Sequence, residues 1–143
     1  LQMNKYLIFT ESYIDLVQPL FTRLRNDHTG CLKLGIPLTV SIFTLKGLES
    51  QVEKVDTGEL PEFFEQLEKR ICDILGETDY CFRFGHNRFA AVFPGKYKKA
   101  GQKAMAVLRK KFQLNYPDLL FSHQLFEYPR EKMGLDEIFS DLV

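Results

Sequence analysis

The chain has 143 residues, 45% hydrophobic, 27% charged and 13% aromatic, which suits one compact domain with a core of its own. Its 19 basic and 19 acidic residues cancel, which excludes the strongly basic character of a dedicated nucleic-acid binder. No apolar run reaches the roughly 18 residues of a membrane span, and Leu1–Thr10 lacks the basic segment and small-residue cleavage site of a signal peptide.

Lys5–Thr10 is a short apolar run that reads as a strand or a lead-in. From Thr10 or Ser12 to about Asn26, residues Tyr13, Ile14, Val17, Leu20, Phe21 and Leu24 recur at helical spacing. Pro19 lies inside this pattern and is expected to kink or split the helix, and His28-Thr29-Gly30 reads as a break after it. Pro37–Leu45 is β-branched and apolar at most positions, the pattern of a buried central strand. Lys46–Gly58 is polar and has no clear period.

Residues 60–75 predict a helix. Pro61 sits in its first turn, Phe63, Phe64, Leu67, Ile71, Ile74 and Leu75 form its apolar stripe, and Gly76 stops it. Tyr80–Phe84 and Phe89–Phe93 are short strands around Gly85-His86-Asn87-Arg88, which predicts a β-hairpin over residues 80–93. Lys98–Phe112 reads as a helix with Ala104, Val107, Leu108 and Phe112 inward. Leu119–Phe126 is a further strand, and Leu135–Val143 a last helical turn or two. A hairpin between helices implies an α/β fold, an α+β sandwich, whose mostly antiparallel, palm-like sheet is flanked by helices. The whole of residues 1–143 reads as a single domain. Its start at Leu1 and abrupt stop after Leu142-Val143 suit a piece of a longer, multidomain protein.

Cys31, Cys72 and Cys81 are odd in number and without CxxC spacing, so free thiols in a reducing compartment are expected, not a disulfide framework or a zinc site. His28, His86 and His123 are too scattered for metal-ligand spacing and read as surface or packing residues. Lys96, Lys98, Lys99, Lys103, Lys110 and Lys111 read as a solvated helix face. Phe82, Phe84, Phe89 and Phe93 are expected to pack the sheet against helices.

The stretch Asp79-Tyr80-Cys81-Phe82-Arg83-Phe84-Gly85-His86-Asn87-Arg88-Phe89, followed by Ala90-Ala91-Val92-Phe93-Pro94, resembles the signature hairpin of GGDEF domains, the diguanylate cyclase family. Asp79, Arg83, Phe84, Gly85, Phe89 and Pro94 fall on the places of the family pattern, while the five-letter motif reads Gly85, His86, Asn87, Arg88, Phe89. Upstream, Gly35-Ile36-Pro37-Leu38 and Val40–Phe43 resemble the family's lead into its first strand, at the family's separation from the hairpin. Leu120–Leu125, with Tyr128-Pro129 after it, is similar to a late strand of the family. The resemblance covers roughly residues 33–129.

Diguanylate cyclases join two GTP molecules with the help of metal ions, and hard cations need oxygen ligands, usually carboxylates. The resemblance places Thr44 and Asn87 where the family has metal-binding carboxylates, Lys46 in place of a second strand carboxylate, and Arg88 in place of a catalytic one. A cation near a divalent metal is repelled by about 4 kcal/mol per unit charge pair at roughly 4 Å and an effective dielectric near 20. An ungapped count puts Val52 and Pro61 where the family reads the guanine edge, and neither side chain can make those hydrogen bonds. His86 replaces a glycine that lets the nucleotide approach the backbone. The family's inhibitory site for cyclic di-GMP, Arg-x-x-Asp, reads Gly76-Glu77-Thr78-Asp79, with the Asp kept, the Arg absent, and Arg70 the nearest substitute.

These substitutions imply a module without cyclase activity, catalytic residues, metal or cofactor. It is expected to act in the bacterial cytoplasm through other domains of its own protein, a signalling protein or a second copy of itself. The alternative is a module that senses cyclic di-GMP or a nucleotide through a rewired site of Asp79, Arg70, Lys46 and Arg88.

Overall fold

The structure, a computed structural model, describes residues 2–85 and 87–139, with side chains described from Gln18 onward apart from that of Glu49. The elements run α1 (Gln2–Leu34), β1 (Leu38–Lys46), α2 (Leu48–Glu53), a 3₁₀ turn (Thr57–Glu59), α3 (Leu60–Ile74), β2 (Tyr80–Arg83), β3 (Arg88–Pro94), α4 (Lys98–Asn115), β4 (Leu120–Tyr128) and α5 (Leu135–Ile138). The four strands form one sheet in the order β2-β3-β1-β4, and all three pairings are antiparallel.

Side chains alternate along each strand, so the sheet has two buried faces and two cores. On one face Phe43, Leu45, Cys81, Phe89, Ala91, Phe93 and Leu125 meet α2, α3 and α4 through Leu48, Val52, Phe64, Leu67, Ile71, Met105, Leu108 and Phe112. On the other, Leu38, Val40, Phe82, Ala90, Val92, Phe126 and Tyr128 meet α1 and α5 through Phe21, Leu24, Cys31, Leu135 and Ile138. Each large apolar side chain removed from water contributes about 1.5–3 kcal/mol. The four hairpin phenylalanines divide between these cores as the strand period demands, Phe82 and Phe84 to one and Phe89 and Phe93 to the other.

The first helix corrects two expectations. Lys5–Thr10 is helical, not a strand, and His28-Thr29-Gly30 does not break the helix, which runs through Pro19 to Leu34. Phe21, Leu24, His28 and Cys31 recur at three- and four-residue spacing. Phe21, Leu24 and Cys31 are buried, and His28 sets its ring edge against Tyr128 at 4.9 Å. This packing outweighs the weak helix propensity of Gly30. The stop comes at Gly35, whose φ of 68° suits glycine, and Ile36 N–H closes on Cys31 O at 3.0 Å.

Two further differences concern short-range pattern. Lys46–Gly58 contains α2, which offers the core only Leu48 and Val52, too few for a period to show. In α4 the inward residues are Gly101, Met105, Leu108 and Phe112, and Val107 is 47% exposed. Gly101 lets α4 lie close on the sheet, since a Cβ there would come within 3.1 Å of Thr39 Cγ2 and Leu125 Cδ2. The expected last helix is observed over Leu135–Ile138, with Phe139 buried after it; residues 140–143 lie outside the described residues.

Candidate functional site

The hairpin tip sits at one end of the two central strands. Phe84 N–H donates to Arg88 O at 3.0 Å, and Leu45 N–H donates to Asn87 O at 2.9 Å, which ties the tip to the end of β1. Arg83 braces it from below. Its side chain is fully buried, its guanidinium lies 3.8 Å from the centre of the Phe64 ring, and Nη1 donates to Gly85 O at 2.7 Å. Arg83 N–H donates to Glu68 Oε1 at 3.2 Å. Burial pushes the Glu68 carboxyl up to about 7, against the opposing pull of the Arg83 charge and backbone N–H.

The residues at the tip are chemically different from their support. Thr44 and Arg88 face each other across β1 and β3, and Thr44 faces Ser122 across β4. Arg88 lays its guanidinium 4.6 Å from the centre of the Phe84 ring. Lys46, two residues beyond Thr44 and so on the same face, is exposed. Asn87 is half-buried, and His86 lies outside the described residues. The tip and strand end therefore offer a hydroxyl, an amide and two cations. This donor set does not fit Mg²⁺, which takes carboxylate and phosphate oxygens. Among the described residues no group of three or more His, Cys, Asp or Glu is placed to hold a metal ion. Val52 is a core residue at 2% exposure, and Pro61 opens the first turn of α3, so neither presents a polar group to a base.

Asp79 lies in the turn before the hairpin. Its side chain is 4% exposed, and Lys96 Nζ donates to Oδ1 at 2.9 Å and Oδ2 at 2.8 Å. Gly76 N–H adds a third bond to Oδ2 at 3.1 Å. A Cβ on Gly76 would stand 2.9 Å from Asp79 Oδ2 and 3.2 Å from Lys96 Nζ, so any side chain there would displace this pair.

Arg70 is engaged elsewhere. Its Nη1 donates to the Tyr116 hydroxyl, and its guanidinium lies 5.9 Å from the centre of that ring. Both residues line an open groove of about 270 Å³ with Val55, Phe63, Gln66 and Leu67. The structure thus brings Thr44, Arg88 and Lys46 together, and leaves Asp79 with Lys96 and Arg70 with Tyr116. Sequence reading missed Lys96, which it placed among helix-face lysines, and Glu68, which carried no local signal. The other lysines of that group, Lys98, Lys99, Lys103, Lys110 and Lys111, are exposed on α4. His28 and His123 are packing and surface residues, and partial burial, with the Arg109 charge beside it, lowers the His123 pKa.

The fold that carries this site is that of GGDEF domains. Over 86% of this chain and 82% of the other, it is similar to the active GGEEF domain of a diguanylate cyclase from Vibrio cholerae, with a TM-score of 0.70 and 12% identity. The FimX GGDEF domain of Pseudomonas aeruginosa matches over 86% of this chain and 80% of its own, with a TM-score of 0.69 and 18% identity. The GGDEF domain of DgcB from Caulobacter crescentus, solved in complex with c-di-GMP, matches over 85% and 75%, with a TM-score of 0.63 and 10% identity. In sequence, no family model and no curated protein matches the chain.

Proposed function

We propose that this chain is a GGDEF-fold signalling module that does not make cyclic di-GMP and instead acts by protein contact within a bacterial cyclic di-GMP system. The observation that carries this reading is the pairing of Thr44 with Arg88 at the end of β1 and the start of β3. A cyclase needs negative oxygens there to hold metal on a triphosphate, and this chain presents a hydroxyl opposite a guanidinium, with Lys46 beside them. Val52 in the core and Pro61 in a helix turn support the same reading for the base. The Gly76–Asp79 turn supports the absence of product inhibition, since residue 76 carries no side chain to stack on guanine and a Cβ there would have to displace the Asp79–Lys96 pair. Its partners on this reading are neighbouring domains, a regulatory protein or a second copy of the chain, in the cytoplasm.

A second reading is favoured by the same two cations. Lys46 and Arg88 on one face form a small basic edge that suits the phosphate of cyclic di-GMP or of a nucleotide without metal. Asp79 and Arg70, the other candidates for such a site, are already engaged by Lys96 and Tyr116.

One experiment separates them. The purified chain is incubated with GTP and Mg²⁺ and the products resolved by chromatography, then titrated calorimetrically with cyclic di-GMP and with GTP. No cyclic dinucleotide and no heat is the expected result. Product formation sinks the first reading; micromolar heat that disappears in Arg88→Ala establishes the second.

A further inference from the structure

Away from the hairpin tip, α3 and β2 bring two cysteines into contact. Cys72 lies in the last turn of α3 and is half-buried, and Cys81 lies on β2 at 7% exposure. Their sulfurs are 2.7 Å apart, with both residues present as free thiols. The Cys81 thiol also lies 3.8 Å from Glu68 O, the backbone of the same helix. The third cysteine, Cys31, is buried in the other core, on the opposite face of the sheet.

We infer that Cys72 and Cys81 form a reversible dithiol–disulfide site, in which a hydroperoxide or a small-molecule disulfide oxidises the pair and locks the end of α3 to β2. The two thiols differ in role. Cys72 is the accessible partner, and the hydrogen bond from Cys81 lowers its pKa. Cys81 is pushed the other way, by donating that hydrogen bond and by burial. With a hydroperoxide, the Cys72 thiolate attacks one peroxide oxygen. The O–O bond breaks, the leaving oxygen takes a proton and departs as water or an alcohol, and Cys72 becomes a sulfenic acid. The Cys81 sulfur then attacks the Cys72 sulfur. The S–O bond breaks, and the hydroxyl leaves as water with the proton from Cys81. The pair loses two protons and two electrons, and the peroxide gains them. The new bond closes the turn that contains Gly76 and Asp79, so oxidation reaches the segment leading into the hairpin.

The test uses the whole chain, equilibrated in glutathione redox buffers and, separately, pulsed with hydrogen peroxide, then alkylated with iodoacetamide. Trypsin cuts after Arg70 and Arg83 and leaves both cysteines on the single peptide Ile71–Arg83. The expected peptide is lighter by two hydrogens and carries no alkyl group. Further cleavage after Glu77 should leave its halves joined until a reductant is added. Cys31 should stay unmodified until the chain is denatured. Melting temperature should rise on oxidation and fall back with dithiothreitol. In Cys81→Ala, Cys72 should stop as a mixed disulfide with glutathione. In Cys72→Ser, a half-buried change that spares the core, Cys81 should react roughly tenfold more slowly or less, and the melting shift should vanish. The inference is overturned if Cys72 runs on to sulfinic acid without joining Cys81, if both thiols stay free across the buffer series, or if the melting shift survives in Cys72→Ser.

Discussion

The hairpin tip and the layer beneath it are a few ångströms apart and follow different rules. Beneath, Arg83, Asp79 and Phe89 are buried and bonded, and they are letters shared with the GGDEF pattern. At the tip, Lys46 is exposed, Thr44, Asn87 and Arg88 are half-exposed, and all four depart from that pattern. The difference is physical. A buried guanidinium that braces a turn cannot be exchanged without losing packing and hydrogen bonds together, whereas a residue at a tip can change its chemistry at little cost to the fold. The fold therefore rests on the support, and the tip can vary in charge without disturbing it.

The sharpest way to break this comparison is Arg83→Met. It removes the stack on Phe64, the bond to Gly85 O and the positive charge beside Glu68, while the backbone N–H of residue 83 still donates to Glu68. Urea unfolding should show a loss of about 3–5 kcal/mol, the range for removing one partner of a buried charged pair. A loss below about 1 kcal/mol would mean the brace is ornamental.

Glu68 gives the next effect, and it depends on pH. Its folded pKa of about 7 lies above the ordinary value of 4.5. The native state therefore binds the proton more tightly than the unfolded chain, and stability must fall as pH rises from 4.5 to about 7, then level off. The fall is at most about 3 kcal/mol. Glu68→Gln should flatten this slope and make the chain more stable than its parent at pH above the transition. Denaturant melts across the range measure it, and an unchanged slope in the variant would assign the titration elsewhere.

What the sequence disclosed, and what it did not, follows from range. The helix over residues 60–75, the central strand and the hairpin were legible because their signals lie within a few residues: an apolar stripe, a β-branched run, a glycine turn. The length of α1 was not, because Gly30 is outvoted by packing onto strands far along the chain, including Tyr128 against His28. The departures at Thr44, Lys46, Asn87 and Arg88 were legible only against a known pattern. The partner of Asp79 was not legible at all. Arg83, the nearer cation in sequence, braces the tip instead, and Lys96 reaches Asp79 from the far side of β3. Cys72 and Cys81 showed no motif spacing, and their contact exists only because α3 packs on β2.

That unforeseen pair gives a smaller effect. Lys96→Met leaves the Asp79 carboxylate, 4% exposed, with only the Gly76 N–H. A loss of about 1–2 kcal/mol is expected by thermal or urea melting, less than for Arg83 because Lys96 itself is 37% exposed and water can partly replace it. Asp79→Asn in the Lys96→Met background should recover part of the loss, since it removes the uncompensated charge. Failure of that recovery would place the cost in lost packing of the lysine stem.

The smallest effect is the most telling about the tip. Arg88→Ala removes a guanidinium that rests on Phe84 at the start of β3 and faces Thr44. Cation–π contacts at partly exposed sites contribute about 0.5–1 kcal/mol, and the hairpin hydrogen bonds and the Arg83 brace do not depend on this side chain. The loss of stability should therefore be smaller than for Arg83→Met five positions earlier on the same hairpin. A loss equal to that of Arg83→Met would place the tip within the structural support and remove the distinction between the two layers. A small loss leaves the tip as a surface whose charge can be changed without unfolding the domain, which is what a contact site for a protein or a phosphate requires.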